Sequence, residues 1–203
     1  DNSSVINCYS DATVNGSGTV SNYGGLIGLV QNGSSVTQSF FSGTVAAGAS
    51  STNTGGLIGQ INGANTVSDC FANASVSGST DVGGFVGEIT SGGTVDKSYA
   101  VSTNGGGTDD AFAAVNSGTV SNSYFDITLD AGVVATGTST ANMQVVNPNF
   151  YTTAGWSTST WSFANGIYPS LNGVGETPYI ESVTFSSTYN VINQAESTGT
   201  FDV

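Results

Sequence analysis

The sequence contains no histidine and no arginine, and Lys97 is its only basic side chain. The missing histidine removes the commonest general base and the commonest nitrogen ligand for metals. One cation against fourteen carboxylates gives a formal charge of -13. Such a surface repels nucleic acid, whose phosphates are held by Lys and Arg. Anionic membrane surfaces are disfavoured for the same reason. No apolar run reaches the roughly 18 residues a membrane-spanning helix needs. No apolar segment led by Lys or Arg opens the sequence, so no secretory leader is expected within it, as in a mature export product or an excised piece. With 7% charged residues the composition warns of low complexity, yet 37% hydrophobic content with ten Phe and eight Tyr argues for a packed core. The carboxylates are scattered. They suit solubility, a saline habitat and at most a weak association with Ca2+, and no cofactor is expected.

What is present is a repeat. The segment Gly24-Gly25-Leu26-Ile27-Gly28 returns as Gly55-Gly56-Leu57-Ile58-Gly59 and as Gly83-Gly84-Phe85-Val86-Gly87. A second motif precedes it, with copies starting at Val5, Val36, Val67, Val95 and Val120, spaced by 31, 31, 28 and 25 residues. Units of this length suit one turn of a β-solenoid or a pair of helices. The content decides between them. Val, Ile, Thr, Tyr and Phe alternate with small polar residues, and turn pairs such as Asn32-Gly33, Asn62-Gly63 and Gly92-Gly93 punctuate the units. No helical apolar stripe survives that much glycine. The sequence therefore predicts an all-β chain, a parallel β-helix of about four to five turns.

The Gly-Gly strand has a clear period of two. Leu26, Gly28 and Val30 share one parity, as do Leu57, Gly59, Ile61 and Phe85, Gly87, Ile89, while Leu29, Gln60 and Glu88 carry the other. The uncharged set is expected to face inward, with the central glycine at a narrow point or under a closely approaching strand. A fourth copy, Asp109-Asp110-Ala111-Phe112-Ala113-Ala114-Val115, keeps the apolar pattern without the glycines, as a terminal repeat does. Its Asp109-Asp110 pair reads as a solvated turn rather than a catalytic or calcium pair.

The earlier motif places Cys8, Ser10, Ala12 and Val14 on one parity, with small residues expected inward. It also aligns Tyr9, Phe40, Phe71, Tyr99 and Tyr124 in one aromatic column. Either a bulge turns these rings into the core, the favoured reading, or they stack as an outer stripe able to bind sugar or mediate assembly. Cys8 and Cys70 occupy equivalent positions two rungs apart, roughly 9.6 Å at about 4.8 Å per rung. A disulfide needs Cα atoms within about 7 Å, so two free, buried thiols are expected, interchangeable with Ser39, Ser98 and Ser123.

These repeats resemble the GLUG motif, named for a Gly-Leu-x-Gly core that appears here at Gly25-Leu26-Ile27-Gly28, at Gly56-Leu57-Ile58-Gly59 and, as Gly-Phe-Val-Gly, at Gly84 to Gly87. The sequence after the repeats is similar to the segment that often ends GLUG arrays: Ser123 to Asp126, Thr140-Ala141-Asn142-Met143, Phe150, Gly155-Trp156, Trp161 and Gly166 to Leu171. The resemblance covers about residues 5 to 173. It implies a right-handed parallel β-helix in large secreted or cell-surface proteins of bacteria and archaea, often adhesin-like, and no established catalytic centre.

After the repeats, Trp156, Trp161, Tyr168 and Pro169, with Phe150, Phe163 and Leu171, supply apolar area suited to capping the solenoid's open end. A short helix is expected over Thr140 to Val146. The division predicted is residues 1–123 as solenoid repeats, 124–173 as last turn and cap, 174–178 as a linker, and 179–203 as one or more tail strands. Those strands either begin a following domain or act as a donor strand. Sequons at Asn2, Asn15, Asn32 and Asn73 fit an exported, glycosylated protein, although a chain this rich in Asn, Ser and Thr produces such triplets by chance.

The expected function is that of a non-enzymatic, extracellular or cell-surface adhesin-like module. Its partners would be other copies, further domains of the same chain, or surface glycans. Alternatives are a head-to-tail filament subunit completed by its neighbour's C-terminal strand, and a polysaccharide-binding or polysaccharide-degrading β-helix. An ice-binding solenoid would need Thr-x-Thr pairs on successive rungs. Thr13, Thr44 and Ser75 align, but no such pair recurs.

Overall fold

The computed structural model describes residues 2–105, 109–129, 138–140, 143–144 and 147–175. The first rung consists of β1 (Ser4–Ile6), β2 (Tyr9–Asn15), β3 (Ser21–Gly24) and β4 (Ile27–Gln31). The second repeats it as β5 (Ser35–Thr37), β6 (Phe40–Ala46), β7 (Thr52–Gly55) and β8 (Ile58–Asn62). The third is β9 (Thr66–Ser68), β10 (Phe71–Ser77), β11 (Val82–Gly83) and β12 (Val86–Ile89), and the fourth β13 (Thr94–Asp96), β14 (Tyr99–Gly105), β15 (Asp109–Asp110) and β16 (Ala113–Asn116). β17 (Thr119–Ser121), β18 (Tyr124–Asp126) and β19 (Thr138–Thr140) extend two of the faces. Each strand pairs in parallel with its counterpart one rung away, which makes four sheets ordered β1-β5-β9-β13-β17, β19-β18-β14-β10-β6-β2, β15-β11-β7-β3 and β16-β12-β8-β4. The fold is an all-β parallel solenoid. Two of its faces hold four strands each, so three rung-to-rung steps close around the whole circumference. That is slightly short of the four to five turns expected.

The register follows the sequence repeat. Val5, Val36 and Val67 are paired partners, as are Val67, Val95 and Val120. The inward residues form one continuous core: Val36, Phe41, Val45, Leu57, Ile61 and Phe85 are each no more than 1% exposed. Alternation along β10 is complete, with Ala72, Ala74 and Val76 buried while Asn73, Ser75 and Ser77 are exposed.

The Gly-Gly motif is a corner followed by a close approach. A Cβ on Gly24, Gly55 or Gly83 would lie about 2 Å from the carbonyl oxygen three residues on, so the chain can fold back here only without side chains. A Cβ on Gly59 would sit 2.5 to 2.8 Å from the backbone of Asn22, and one on Gly87 2.4 to 2.7 Å from that of Asn53 and Thr54. Here the backbone of one flank lies directly on the other, as the narrow-point reading expects. The degenerate fourth copy stays in register, with Val82 paired to Asp109 and Gly83 to Asp110, and the rings of Phe85 and Phe112 stack at 4.8 Å. The solvated-turn reading of Asp109-Asp110 is corrected. The pair forms β15, and Asp110 is buried, its Oδ1 accepting the backbone N–H groups of Phe112 and Ala113 across the corner. This is an Asx turn, which satisfies the corner donors where the glycines are gone.

Two further expectations are corrected. Of the segment Thr140 to Val146, where a helix was expected, Thr140 ends β19 and Met143 and Gln144 lie in a turn, the other residues being outside the described ones; α1 spans Pro148–Thr153. Asn147 caps it by accepting the Asn149 N–H at 2.9 Å, and Pro148 enters at the first turn, where its missing donor costs nothing. Both cysteines are free as expected, but only Cys70 is buried; Cys8 stands on the first rung and is exposed, with no further rung stacked against it among the described residues.

Candidate functional site: the aromatic flank

The aromatic column lies on the outer face of the β2-β6-β10-β14-β18 sheet. Its rings alternate with Phe41, Ala72, Ala100 and Phe125, which fill the lumen and are at most 2% exposed. A column one residue earlier must therefore point away from the lumen. The favoured inward reading is thus corrected: no bulge turns the rings in. In-register parallel pairing stacks them instead, Tyr9 on Phe40 at 5.1 Å, Phe40 on Phe71 at 4.5 Å and Phe71 on Tyr99 at 5.0 Å, with planes within 12° of parallel.

Local chemistry fixes where the column starts. Two residues before each ring, Asn7, Gln38, Asp69, Lys97 and Asn122 adopt φ between 45° and 56°. This left-handed bend suits Asn and Asp and strains Gln and Lys. The next residue is the Ser/Cys position. There Ser39, Ser98 and Ser123 each accept the backbone N–H of the equivalent residue on the preceding rung, at 3.1 to 3.2 Å, and donate to the carbonyl two residues back. Cys70 makes the same backward bond through its thiol. Burial pushes the Cys70 thiol up to about 12.

The rings are outward but not bare. The segment after β18 runs back along the flank and lays a second core over them. Trp156 and Trp161 pack on each other at 4.6 Å; Trp161 lies 6.3 Å from Phe71 and 5.8 Å from Tyr99, and Trp156 lies 5.8 Å from Tyr124. β20 (Trp161–Ser162) and β21 (Ser170–Leu171) close an antiparallel pair that presents Trp161 and Leu171 inward. Most polar ends of this layer are anchored to the solenoid, while the Tyr151 hydroxyl donates to the Met143 carbonyl within the layer at 2.9 Å. The Trp161 indole N–H donates to Asp69 at 2.9 Å, the Trp156 indole to the Asn122 carbonyl at 2.9 Å, and Tyr168 to Asp126 at 2.7 Å, while the Tyr99 hydroxyl donates to the Pro169 carbonyl. Two of these anchors, Asp69 and Asn122, belong to the bend column. Trp156, Trp161, Tyr168 and Pro169 were expected to cap the open end; they form a lateral strap instead. Gly175, the last described residue, lies beside the second rung, where a Cβ on it would touch the Phe40 ring.

Burial along the column grades accordingly. Tyr99 is 2% and Tyr124 5% exposed, Phe40 and Phe71 are half-buried, and Tyr9 is 46% exposed. Burial, reinforced by the neighbouring Tyr151 and Tyr168 phenols, holds the Tyr99 phenol well above its ordinary pKa. Asp126 is buried, which pushes its carboxyl up. Hydrogen bonds from the Thr128 and Tyr168 hydroxyls and from the Thr128 and Met143 backbone outweigh this, and the net shift is downward. Asp96 shows the same balance: burial raises it, and donors from Lys97, Asn122 and Ser121 lower it further. Lys97 lies 2.6 Å from Asp96, so the chain's one cation is committed to an ion pair.

Beyond the rings, the same sheet presents small polar side chains in register: Thr13, Thr44, Ser75 and Thr103 in one column, Asp11, Ser42 and Asn73 in the next. The sequon residues Asn2, Asn15, Asn32 and Asn73 are all exposed. A shallow open groove of about 470 Å³ runs between Tyr124 and α1, lined by Asn149, Phe150, Thr153 and Ala154. Among the described residues no group of three His, Cys, Asp or Glu side chains converges on a point that could hold a metal ion.

No family model, curated protein or solved structure matches the chain.

Sequence reasoning found the column and the strap residues separately and did not join them. The available signal was the bend column: Asn7, Asp69 and Asn122, each two residues before an aromatic ring, mark a corner after which the ring leaves the lumen.

Proposed function

We propose that this chain is a non-enzymatic, exported cell-surface protein, an adhesin-like β-solenoid module that mediates adhesion. The observation that carries this reading is the strap. It packs an aromatic layer across successive rungs of one sheet, through Phe71, Tyr99 and Tyr124, and bonds that layer to Asp69, Asn122 and Asp126. A solenoid alone holds each rung only to its neighbours. A layer that spans rungs resists peeling, which is what a module exposed to external forces requires. The in-register hydroxyl and amide face beside it offers hydrogen-bonding groups at a repeat of about 4.8 Å, suited to glycan or to a matching face on another copy. The resemblance of the Gly-Leu-Ile-Gly units to GLUG repeats, and a composition with almost no cations, agree with an extracellular setting.

The test is display of the chain on a non-adherent bacterium, with attachment to glycan-coated glass and self-aggregation measured against an empty display scaffold. The proposal expects a several-fold gain in one or both, lost when Thr44 and Ser75 are both changed to Lys. Attachment and aggregation equal to the empty scaffold would overturn it.

A further inference from the structure

We infer that Asn32 is a site of self-modification: the backbone nitrogen of Gly33 closes on the Asn32 side chain, expels ammonia, and leaves aspartate or isoaspartate at the bend between β4 and β5. Asparagine followed by glycine is the pairing in which this chemistry is least hindered, because no Cβ stands beside the attacking nitrogen. The chain has six such pairs, beginning at Asn15, Asn32, Asn62, Asn104, Asn165 and Asn172. The reaction needs two groups unheld: the side-chain amide, which must swing over the backbone, and the following N–H, which must give up its proton. The fold holds at least one of them in every pair but Asn32-Gly33. The Gly16 N–H donates to the Ala46 carbonyl at 2.8 Å, the Gly63 N–H to Thr90 Oγ1 at 2.7 Å, and the Gly166 N–H to the Gln144 carbonyl at 2.9 Å. The Asn104 side-chain amide donates to the Asp110 carbonyl at 2.6 Å, and that of Asn172 to the Thr158 carbonyl at 3.1 Å.

At Asn32 neither group is held. Asn32 is exposed, and among the described residues neither its side chain nor the Gly33 N–H has a hydrogen-bond partner. The bend is fixed instead through Ser34, whose Oγ donates to the Gln31 carbonyl at 2.7 Å and whose N–H donates to Asn65 Oδ1 at 2.8 Å. The Asn32 carbonyl accepts the Asn2 N–H at 2.9 Å, and a trans peptide sets the next N–H opposite that carbonyl, so the Gly33 N–H faces the following rung. Its freedom therefore does not depend on what precedes the first rung. One rung on, Thr90 supplies the acceptor for Gly63 that the Asn32 bend lacks. The reaction balances with solvent alone. Hydroxide takes the Gly33 N–H proton, the nitrogen bonds to Asn32 Cγ, and the Cγ–Nδ2 bond breaks as Nδ2 takes a proton from water and leaves as ammonia. Water then opens the cyclic imide at Cγ, giving aspartate, or at the Asn32 main-chain carbonyl carbon, giving isoaspartate. Either product adds a negative charge at the bend and removes the Asn32-Gly33-Ser34 acceptor for glycosylation. Isoaspartate also lengthens the main chain there by a methylene.

The experiment incubates the full 203-residue chain in mildly alkaline buffer, with and without denaturing urea, and follows each Asn-Gly peptide by mass and by isoaspartate-specific methyl transfer. In the folded chain the Asn32 peptide should convert about tenfold or more faster than the others, which react only after local opening. In urea the rates should draw together, because the bonds that separate them are gone. Asn32 converting no faster than the other pairs in the folded chain, or keeping its full lead in urea, would overturn the proposal. Thr90→Val gives a second reading. It removes the acceptor of the Gly63 N–H and the 3.4 Å bond to Asn62 Oδ1, but keeps the Thr90 N–H bonded to the Ile61 carbonyl at 2.9 Å. Conversion at Asn62 should rise about threefold or more in this variant while Asn32 is unchanged. An Asn62 rate that does not move would refute protection by the held amide, and with it the reason for singling out Asn32.

Discussion

Replacing Trp161 with Ala is the perturbation that separates a lateral strap from an end cap. Trp161 is 1% exposed and touches Trp156, Phe71 and Tyr99, rings that belong to the strap and to two successive rungs. Truncating a buried Trp costs about 3–5 kcal/mol in lost transfer energy and cavity. Half-buried Asp69 also loses its indole donor, which water can partly replace. At about 2–4 °C per kcal/mol for a chain of this size, a loss near 4 kcal/mol lowers Tm by roughly 8–16 °C in calorimetry. The location of the damage is more telling than its size. Hydrogen exchange should accelerate across Phe71–Ser77 and Tyr99–Asn104, in the middle of the stack. Trp161→Phe, which keeps a ring but not the donor, should lower Tm by only about 2–4 °C, for a net hydrogen-bond loss near 1 kcal/mol. A drop below about 3 °C for Trp161→Ala, or faster exchange confined to Tyr124–Asp126, would refute the reasoning.

Gly59→Ala should destabilise the fold by about 1–3 kcal/mol, because its Cβ would sit 2.5 to 2.8 Å from the Asn22 backbone; unchanged Tm would show that the flanks are not in contact there. One thiol per chain, Cys8, should react with a maleimide in the native protein and two after denaturation, whereas prompt labelling of Cys70 would contradict its burial. Burial raises the folded Cys70 pKa above that of the unfolded chain, so its contribution is complete below about pH 9 and is lost as pH rises from 9 toward 12. Cys70→Ser should therefore flatten the pH dependence of stability in the range just above pH 9, and an unchanged slope there would be a failure. Asp126 behaves in the opposite sense: its folded pKa lies below the unfolded value, so its contribution is present above about pH 4 and is lost as pH falls further. Asp126→Asn should make stability less acid-sensitive below pH 4, and identical acid profiles would count against the hydrogen-bond set drawn around it.

The solenoid was legible because its evidence is local and repeated. Each Gly-Gly pair marks a corner, each period-two strand marks a face, and copies in register stack without further information. The strap was not legible in the same way. Its position depends on contacts between residues 92 apart, such as Trp161 with Asp69, and no periodicity encodes them. Large apolar residues after a repeat array satisfy an end cap and a flank cover equally well on composition alone. The aromatic column was misplaced for a related reason. Five rings in one column imply burial, but burial can come from outside the lumen, as the strap provides here for Tyr99 and Tyr124. Asp110 was misread because paired acidic residues usually mark a solvated turn, whereas this carboxylate replaces the conformational freedom of a lost glycine by accepting the corner N–H groups.

The most direct test of the account is a set of nuclear Overhauser contacts from the Trp161 indole. The flank arrangement predicts cross-peaks to the rings of both Phe71 and Tyr99, whose centroids lie 6.3 and 5.8 Å away. Cross-peaks from Trp161 to Phe112 or Phe125, with none to Phe71, would place the segment across the end of the stack and contradict it.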